Sequence, residues 1–167
     1  MGTLPRQAAS GYARPMVRIR ESRAEDGARI IAIWREAVDV THDFLTAADR
    51  AAIEEEVRAF LPSAPLWLAV DGQDRPLGFM LLDGAQMEAL FIDPACRGQG
   101  IGRALVDHAL TLHLAVTTDV NEQNGQAVGF YEHLGFVATG RSDRDGQGRP
   151  YPLIHLRMDG RGLTPPA

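Results

Sequence analysis

Cysteine is almost missing from this chain. Cys96 is the only thiol, so no internal disulfide can form, which fits a reducing cytoplasm. Long apolar runs are missing too, and no stretch is long enough to span a bilayer. The segment from Met1 to Pro15 has no signal-peptide core. Arg6 stands where a myristoylation pattern following Gly2 needs Ser or Thr. A cytoplasmic location and no membrane partner are therefore expected. Positive charge is in deficit: 17 Lys+Arg against 22 Asp+Glu give a net charge of −5. Such a surface does not attract phosphate backbones over long range, so nucleic acid is not expected as a partner.

What the chain does have is an ordinary globular composition, 45% hydrophobic and 23% charged over 167 residues. That length suits one domain with a real core. Residues 16–158 are expected to form it, with flexible tails over 1–15 and 159–167. No repeat or interdomain linker interrupts it.

The punctuation between the tails is regular. Val17, Ile19 and Glu21 alternate as a strand, and Ser22 to Glu25 reads as a capping box. Ile30, Ile31, Trp34 and Val38 fall at helical spacing. A second helix follows Thr46, with Ile53, Val57, Phe60 and Leu61 as its apolar stripe and Pro62 as its stop. Strands are expected over Leu66 to Val70 and Leu77 to Leu82, around an Asp71-Gly72 hairpin turn. A third runs from Met87 to Ile92 and ends at Asp93-Pro94. Ile101, Leu105, Ala109 and Leu112 mark a helix; Leu114, Val116, Thr118 and Val120 mark a strand. Ala127, Phe130, Tyr131 and Leu134 mark another helix, closed by Gly135. Phe136 to Arg141 and Tyr151 to Met158 read as a closing hairpin, where Pro150 and Pro152 suit an edge strand. The order β-α-α-β-β-β-α-β-α-β-β makes a mixed α/β layer structure, neither a doubly wound parallel sheet nor a bundle.

One window carries most of the chemistry. Arg97-Gly98-Gln99-Gly100-Ile101-Gly102 lies between a strand and a helix. A helix N-terminus leaves amides unpaired and partly positive. Glycines let an anion approach them, so such a turn can hold a pyrophosphate without lysine. Walker A is absent, and Arg103 stands where the dinucleotide fingerprint needs its third glycine. The alternative is a merely glycine-rich turn.

Arg97-x-x-Gly100-x-Gly102, after Ile92-Asp93-Pro94, resembles the acetyl-CoA signature of the GNAT (GCN5-related N-acetyltransferase) superfamily. A second block, Asn124-x-x-Ala127-x-x-Phe130-Tyr131 followed by Leu134-Gly135-Phe136, is similar to that family's later motif. The resemblance covers about Val17 to Met158. Val38 to Leu45 and Val120 to Asn124 look closer still to small stand-alone bacterial members.

The resemblance implies a sheet that splays between the strands at Met87–Ile92 and Leu114–Val120. It implies acetyl-CoA as co-substrate. Asp39, His42 and Asp43 lack the spacing of a closed metal site, so no metal is expected. The pantetheine arm would lie in the gap along Leu90, Phe91 and Ile92, with the amides of Arg97, Gly98, Gln99, Gly100, Ile101, Gly102 and Arg103 on the pyrophosphate. Ala127 and Phe130 belong to the same binding motif. Asn121 and Asn124 would hydrogen-bond the pantetheine, although Asn124 also reads as a helix N-cap.

Direct transfer of acetyl to an amine needs a neutral amine, a donor for the developing oxyanion, and a proton for the leaving thiolate. Cys96 is not needed as a nucleophile. Tyr131 occupies the position of the family's helix tyrosine and is the candidate general acid; the alternative is a core aromatic. Glu88 is the first candidate base, since strand alternation puts it on one face with Leu90 and Ile92; the alternative is a solvent-facing carboxylate. His42, between two helices, is the second. Asp39 and Asp43 could meet a cationic acceptor or serve local turns. His108, His113, His133 and His155 show no partner. The expected function is N-acetylation of a small-molecule or protein amine. A non-catalytic acetyl-CoA sensor is the alternative, and a toxin-like enzyme acting on aminoacyl-tRNA is disfavoured by the acidic charge. Family members are often dimers, which leaves a homodimer open.

Overall fold

A computed structural model describes residues 16–160. The expected N-terminal tail, and the C-terminal one from residue 161 on, lie outside the described residues. The elements are β1 (Arg18–Glu21), α1 (Gly27–Thr41), α2 (Ala47–Phe60), β2 (Leu66–Val70), β3 (Pro76–Asp83) and β4 (Gln86–Ile92). They continue with α3 (Ile101–Leu112), β5 (Ala115–Asn121), α4 (Gly125–Leu134), β6 (Val137–Ser142) and β7 (Leu153–Asp159).

The strands form one mixed sheet in the order β1-β2-β3-β4-β5-β7-β6. Alternation along the strands divides the apolar side chains between two layers. Leu66, Leu68 and Val70 of β2 pack with Ile30, Ile33 and Trp34 of α1. Ala69, Met80 and Val116 pack with Leu105 and Val106 of α3 and with Tyr131 and Leu134 of α4. Helices thus cover both faces.

Only β4 and β5 run parallel, and they pair at two positions alone, Gln86 with Thr117 and Met87 with Thr118. The Thr118 hydroxyl donates to the Met87 carbonyl at 2.9 Å and pins that corner. Beyond it the two strands part, which is the splay that the resemblance implied. Asp93 ends β4: its carboxylate caps the Ala95 amide at 2.9 Å and accepts from Arg29 at 2.6 Å.

Several expectations are corrected. The Ser22 hydroxyl bonds the Ala64 carbonyl and the Leu66 amide, so the box before α1 closes instead through Asp26, whose carboxylate accepts the Arg23 amide at 2.8 Å. Phe60 is 55% exposed, because α2 carries no fully buried residue. The β2–β3 hairpin turns where expected, closed between Asp71 and Arg75, with Asp74 as its left-handed residue. Pro150 and Pro152 precede β7, which lies between β5 and β6, so the edge strand is β6. Leu114 is 73% exposed, just outside β5. Asp159 is the last residue of β7 rather than part of a tail.

Candidate active site

The turn before α3 presents a run of backbone amides at a helix start. Gly98 and Gly100 have φ of 75° and 79°, a left-handed backbone that glycine adopts without steric cost. This aims successive amides outward. Helical bonding begins with the Ala104 amide on the Gly100 carbonyl. Among the described residues, the amides from Gly98 to Arg103 meet no backbone or side-chain acceptor. Gly102 has a second duty: an added Cβ would lie 2.7 Å from the Phe130 ring, so glycine lets α3 and α4 close together. Arg97 donates to Gln126 at 3.0 Å and ties the turn to the start of α4.

The gap between β4 and β5 opens into a cleft of about 180 Å³. His42, Glu88, Leu90, Asn121, Asn124 and Tyr131 all line it, as do Phe91 and Ala127. Eight of the seventeen candidate residues thus line one cavity. Phe130 and Ile92 pack into the core beside it, and Phe130 meets Tyr131 edge-on at 5.2 Å between centroids. Asp119, Thr118 and Val120 line the cleft without having been expected there. Their signal was the polar–apolar alternation of β5, which marks Asp119 as facing away from the α3–α4 core.

Tyr131 is 7% exposed. Burial pushes its phenol up to about 12, opposed in part by the Thr118 hydroxyl beside it. It is therefore a proton donor at every physiological pH.

Glu88 sits at a break in the β3–β4 register, where Leu81 faces Ala89 and Leu82 faces Met87. It is the extra residue of a bulge. The bulge overturns the simple alternation expected for it: Met87, Leu90 and Ile92 pack toward one core, Ala89 and Phe91 toward the other. Partial desolvation raises its carboxyl above the ordinary range, helped by the charges of Asp83 and Asp119.

His42 caps α1. The Thr41 hydroxyl donates to the Ala37 carbonyl at 2.8 Å, which leaves its oxygen to accept from His42 Nδ1 at 2.7 Å. The neutral ring then presents Nε2 as a free acceptor. Burial first, and then the Arg50 charge, lower its pKa against the pull of Asp43.

The α1–α2 loop and the β6–β7 loop meet at this end of the cleft. Phe44 stacks between His42 and Tyr151, at 5.3 and 5.9 Å, and the Tyr151 hydroxyl donates to Asp49. Asn124 caps α4 by accepting the Ala127 amide at 3.1 Å. Asp39 is held by Arg50 at 2.8 Å, away from the cleft. Burial raises the Cys96 thiol, which opposes a nucleophilic role. Among the described residues no three His, Cys, Asp or Glu side chains gather as a metal site.

Residues 29–151 match the family model described as an acetyltransferase (GNAT) domain. The chain is 63% identical over 141 residues to the peptidyl-lysine N-acetyltransferase YjaB of Salmonella typhimurium, covering 84% of this chain and 97% of that protein. It is 57% identical over 145 residues to the Escherichia coli protein of the same name, covering 87% and 99%. The solution structure of apo-form YjaB from Escherichia coli superposes with a TM-score of 0.83 at 56% identity, covering 87% of this chain and 99% of that one.

Proposed function

The chain belongs to the GNAT acetyltransferase family, and from that footing we propose that it moves the acetyl group of acetyl-CoA onto lysine side chains of proteins. Relatives at 57–63% identity carry the name peptidyl-lysine N-acetyltransferase, and this supports a lysine acceptor. It also leaves the non-catalytic sensor reading without support.

The observation that carries the cofactor assignment is the run of unpaired amides from Gly98 to Arg103 at the head of α3. Partial positive charge there suits the pyrophosphate. The parted edge of β4 along Leu90, Phe91 and Ile92 suits the pantetheine amides, since no strand pairs with it on that side. Asn121 and Asn124 stand at the opposite lip.

The catalytic roles follow from what each group can do. A lysine amine has a pKa of ~10.4 and must shed a proton before it can attack. Glu88 takes it, directly or through water, because a raised carboxyl is a stronger base than an ordinary one. His42 Nε2 is the second base of the cleft. Tyr131 stays protonated and donates to the departing sulfur. Thiolate departure and acyl transfer to nitrogen then need no covalent enzyme intermediate.

Calorimetric titration with acetyl-CoA tests the first claim. Gln99→Glu places a carboxylate beside the amides without altering the left-handed glycines. Binding by the wild-type protein that weakens at least tenfold in this variant is expected from charge repulsion at the turn. Unchanged binding would remove the pyrophosphate from this turn.

A further inference from the structure

One polar line in the cleft remains unused by this mechanism. Asp119 lies on β5 and His155 directly opposite it on β7. His155 Nδ1 meets Asp119 Oδ1 at 2.5 Å, and His155 Nε2 meets the Ser142 hydroxyl of β6 at 2.7 Å. A neutral imidazole satisfies both partners at once: Nδ1–H donates to the carboxylate while Nε2 accepts from the serine. The Asp119 carboxylate is thereby held in one orientation. Among the described residues its other oxygen is reached only by Gln86, at 3.5 Å.

The position of this carboxylate is informative. The last paired residues of β4 and β5 are Met87 and Thr118. One step further, Glu88 and Asp119 occupy corresponding positions on the two strands where they begin to part. Both line the cleft, and the charge of Asp119 contributes to the raised Glu88 carboxyl. Two carboxyl groups across a gap repel each other unless a cation comes between them. The nearby arginines are engaged elsewhere: Arg157 with Asp159, Arg141 with Glu122 and Asp143, and Arg50 with Asp39 and Glu54. The cation that fits is the one the reaction must admit, a primary ammonium.

We propose that Asp119 is the acceptor-binding carboxylate of this enzyme, receiving the lysine as its ammonium ion, and that His155 and Ser142 are positioning residues that hold it toward the cleft. The ammonium meets Asp119 first and surrenders its proton to Glu88 on the facing strand. The proposal rests on the acetyl-transfer reading above.

The test uses Asp119→Asn, His155→Leu and His155→Asn in the full chain. Two peptides serve as acceptors, one with lysine and one with an aminooxy group, uncharged at neutral pH, in its place. Asp119→Asn should raise KM for the lysine peptide about tenfold, as expected for a lost charge-assisted contact. Its kcat should change less than about threefold. Acetyl-CoA affinity, read by calorimetry, should hold and shows that the variant is folded. His155→Leu should raise KM by a smaller factor. His155→Asn, whose amide can replace the Nδ1–H donor, should restore it. None of these variants should move KM for the aminooxy peptide. An unmoved KM in Asp119→Asn, or an equal rise with both peptides, overturns the acceptor assignment alone. A wild-type protein that binds acetyl-CoA but acetylates neither peptide overturns the acetyl-transfer reading and this proposal with it.

Discussion

At the scale of single residues, environment assigns opposite tasks to two ionisable groups of one cleft. Tyr131 is buried and its phenol is held up to about 12, so it keeps its proton. This has a consequence for stability. The unfolded chain's tyrosine ionises near ~10, while the native one does not until about two units later. The contribution is fully present below pH ~10 and is lost as pH rises toward 12. Two units correspond to about 3 kcal/mol. Urea denaturation at pH 9 and at pH 11.5 should show about 2 kcal/mol of this loss in the wild type and a flatter profile in Tyr131→Phe. Equal slopes would mean that the phenol ionises in the native state. The same variant should lower kcat by about 10²-fold if the phenol protonates the thiolate, a usual size for general acid catalysis.

Glu88 is proposed for the contrary task. Its carboxyl is raised chiefly by desolvation, with Asp83 and Asp119 adding to it. A general base works only when deprotonated, so kcat/KM should fall as pH drops through the Glu88 pKa. That limb should lie above the usual carboxylate value of ~4.3. Glu88→Gln should abolish it and leave a slower, flatter profile. His42 is the competing origin, and its pKa is lowered. A limb that survives Glu88→Gln and disappears in His42→Gln would transfer the role to the histidine.

At the scale of elements, one glycine decides how closely α3 and α4 can pack. Gly102 lets the first turn of α3 lie against Phe130 of α4, with no space for a methyl group at 2.7 Å. Gly102→Ala should cost about 1–3 kcal/mol, the range for overpacking a core. Phe130→Leu in the same chain should recover part of that loss, because the clash is with the ring itself. Thermal melts of the single and double variants decide it, and additive losses would mean that the two sites do not press on each other.

Element order was readable before the structure because turns and periodicity are local. Thr46, Asp93, Asn124 and Gly135 act where caps and breakers were expected. The candidate site was readable to the extent that its residues sit in local motifs, the turn before α3 and the body of α4. What was hidden depends on pairing between distant segments. The bulge at Glu88 appears only once β3 is laid beside β4. His155 looked unpartnered because its two partners lie 36 and 13 residues away along the chain. Sequence spacing does not encode a contact made across three strands.

At the scale of the whole molecule, charge of one kind is supplied by one residue type. All 17 cationic side chains counted as Lys+Arg are arginine, and lysine does not occur in the chain. Arginine serves the fold's ion pairs well: Arg20 holds both oxygens of Asp26 at 2.9 and 3.0 Å, and Arg35 reaches Glu54 with two nitrogens. Its planar guanidinium makes such forked contacts where an ammonium cannot. There is also a chemical consequence for the proposed lysine acceptor. A guanidinium stays protonated throughout the working pH range and does not attack a thioester. Cys96 has a raised thiol and so little thiolate to react. The enzyme therefore offers its own reaction no side-chain amine. Held for hours with millimolar acetyl-CoA, the protein should gain at most one acetyl group by intact mass, on the α-amine of its first residue. Two or more stable adducts would show that hydroxyl, imidazole or thiol groups of this chain are acylated. The net charge of −5 points the same way: an acidic enzyme draws cationic peptide acceptors toward it, while its own surface supplies none to compete for the cleft.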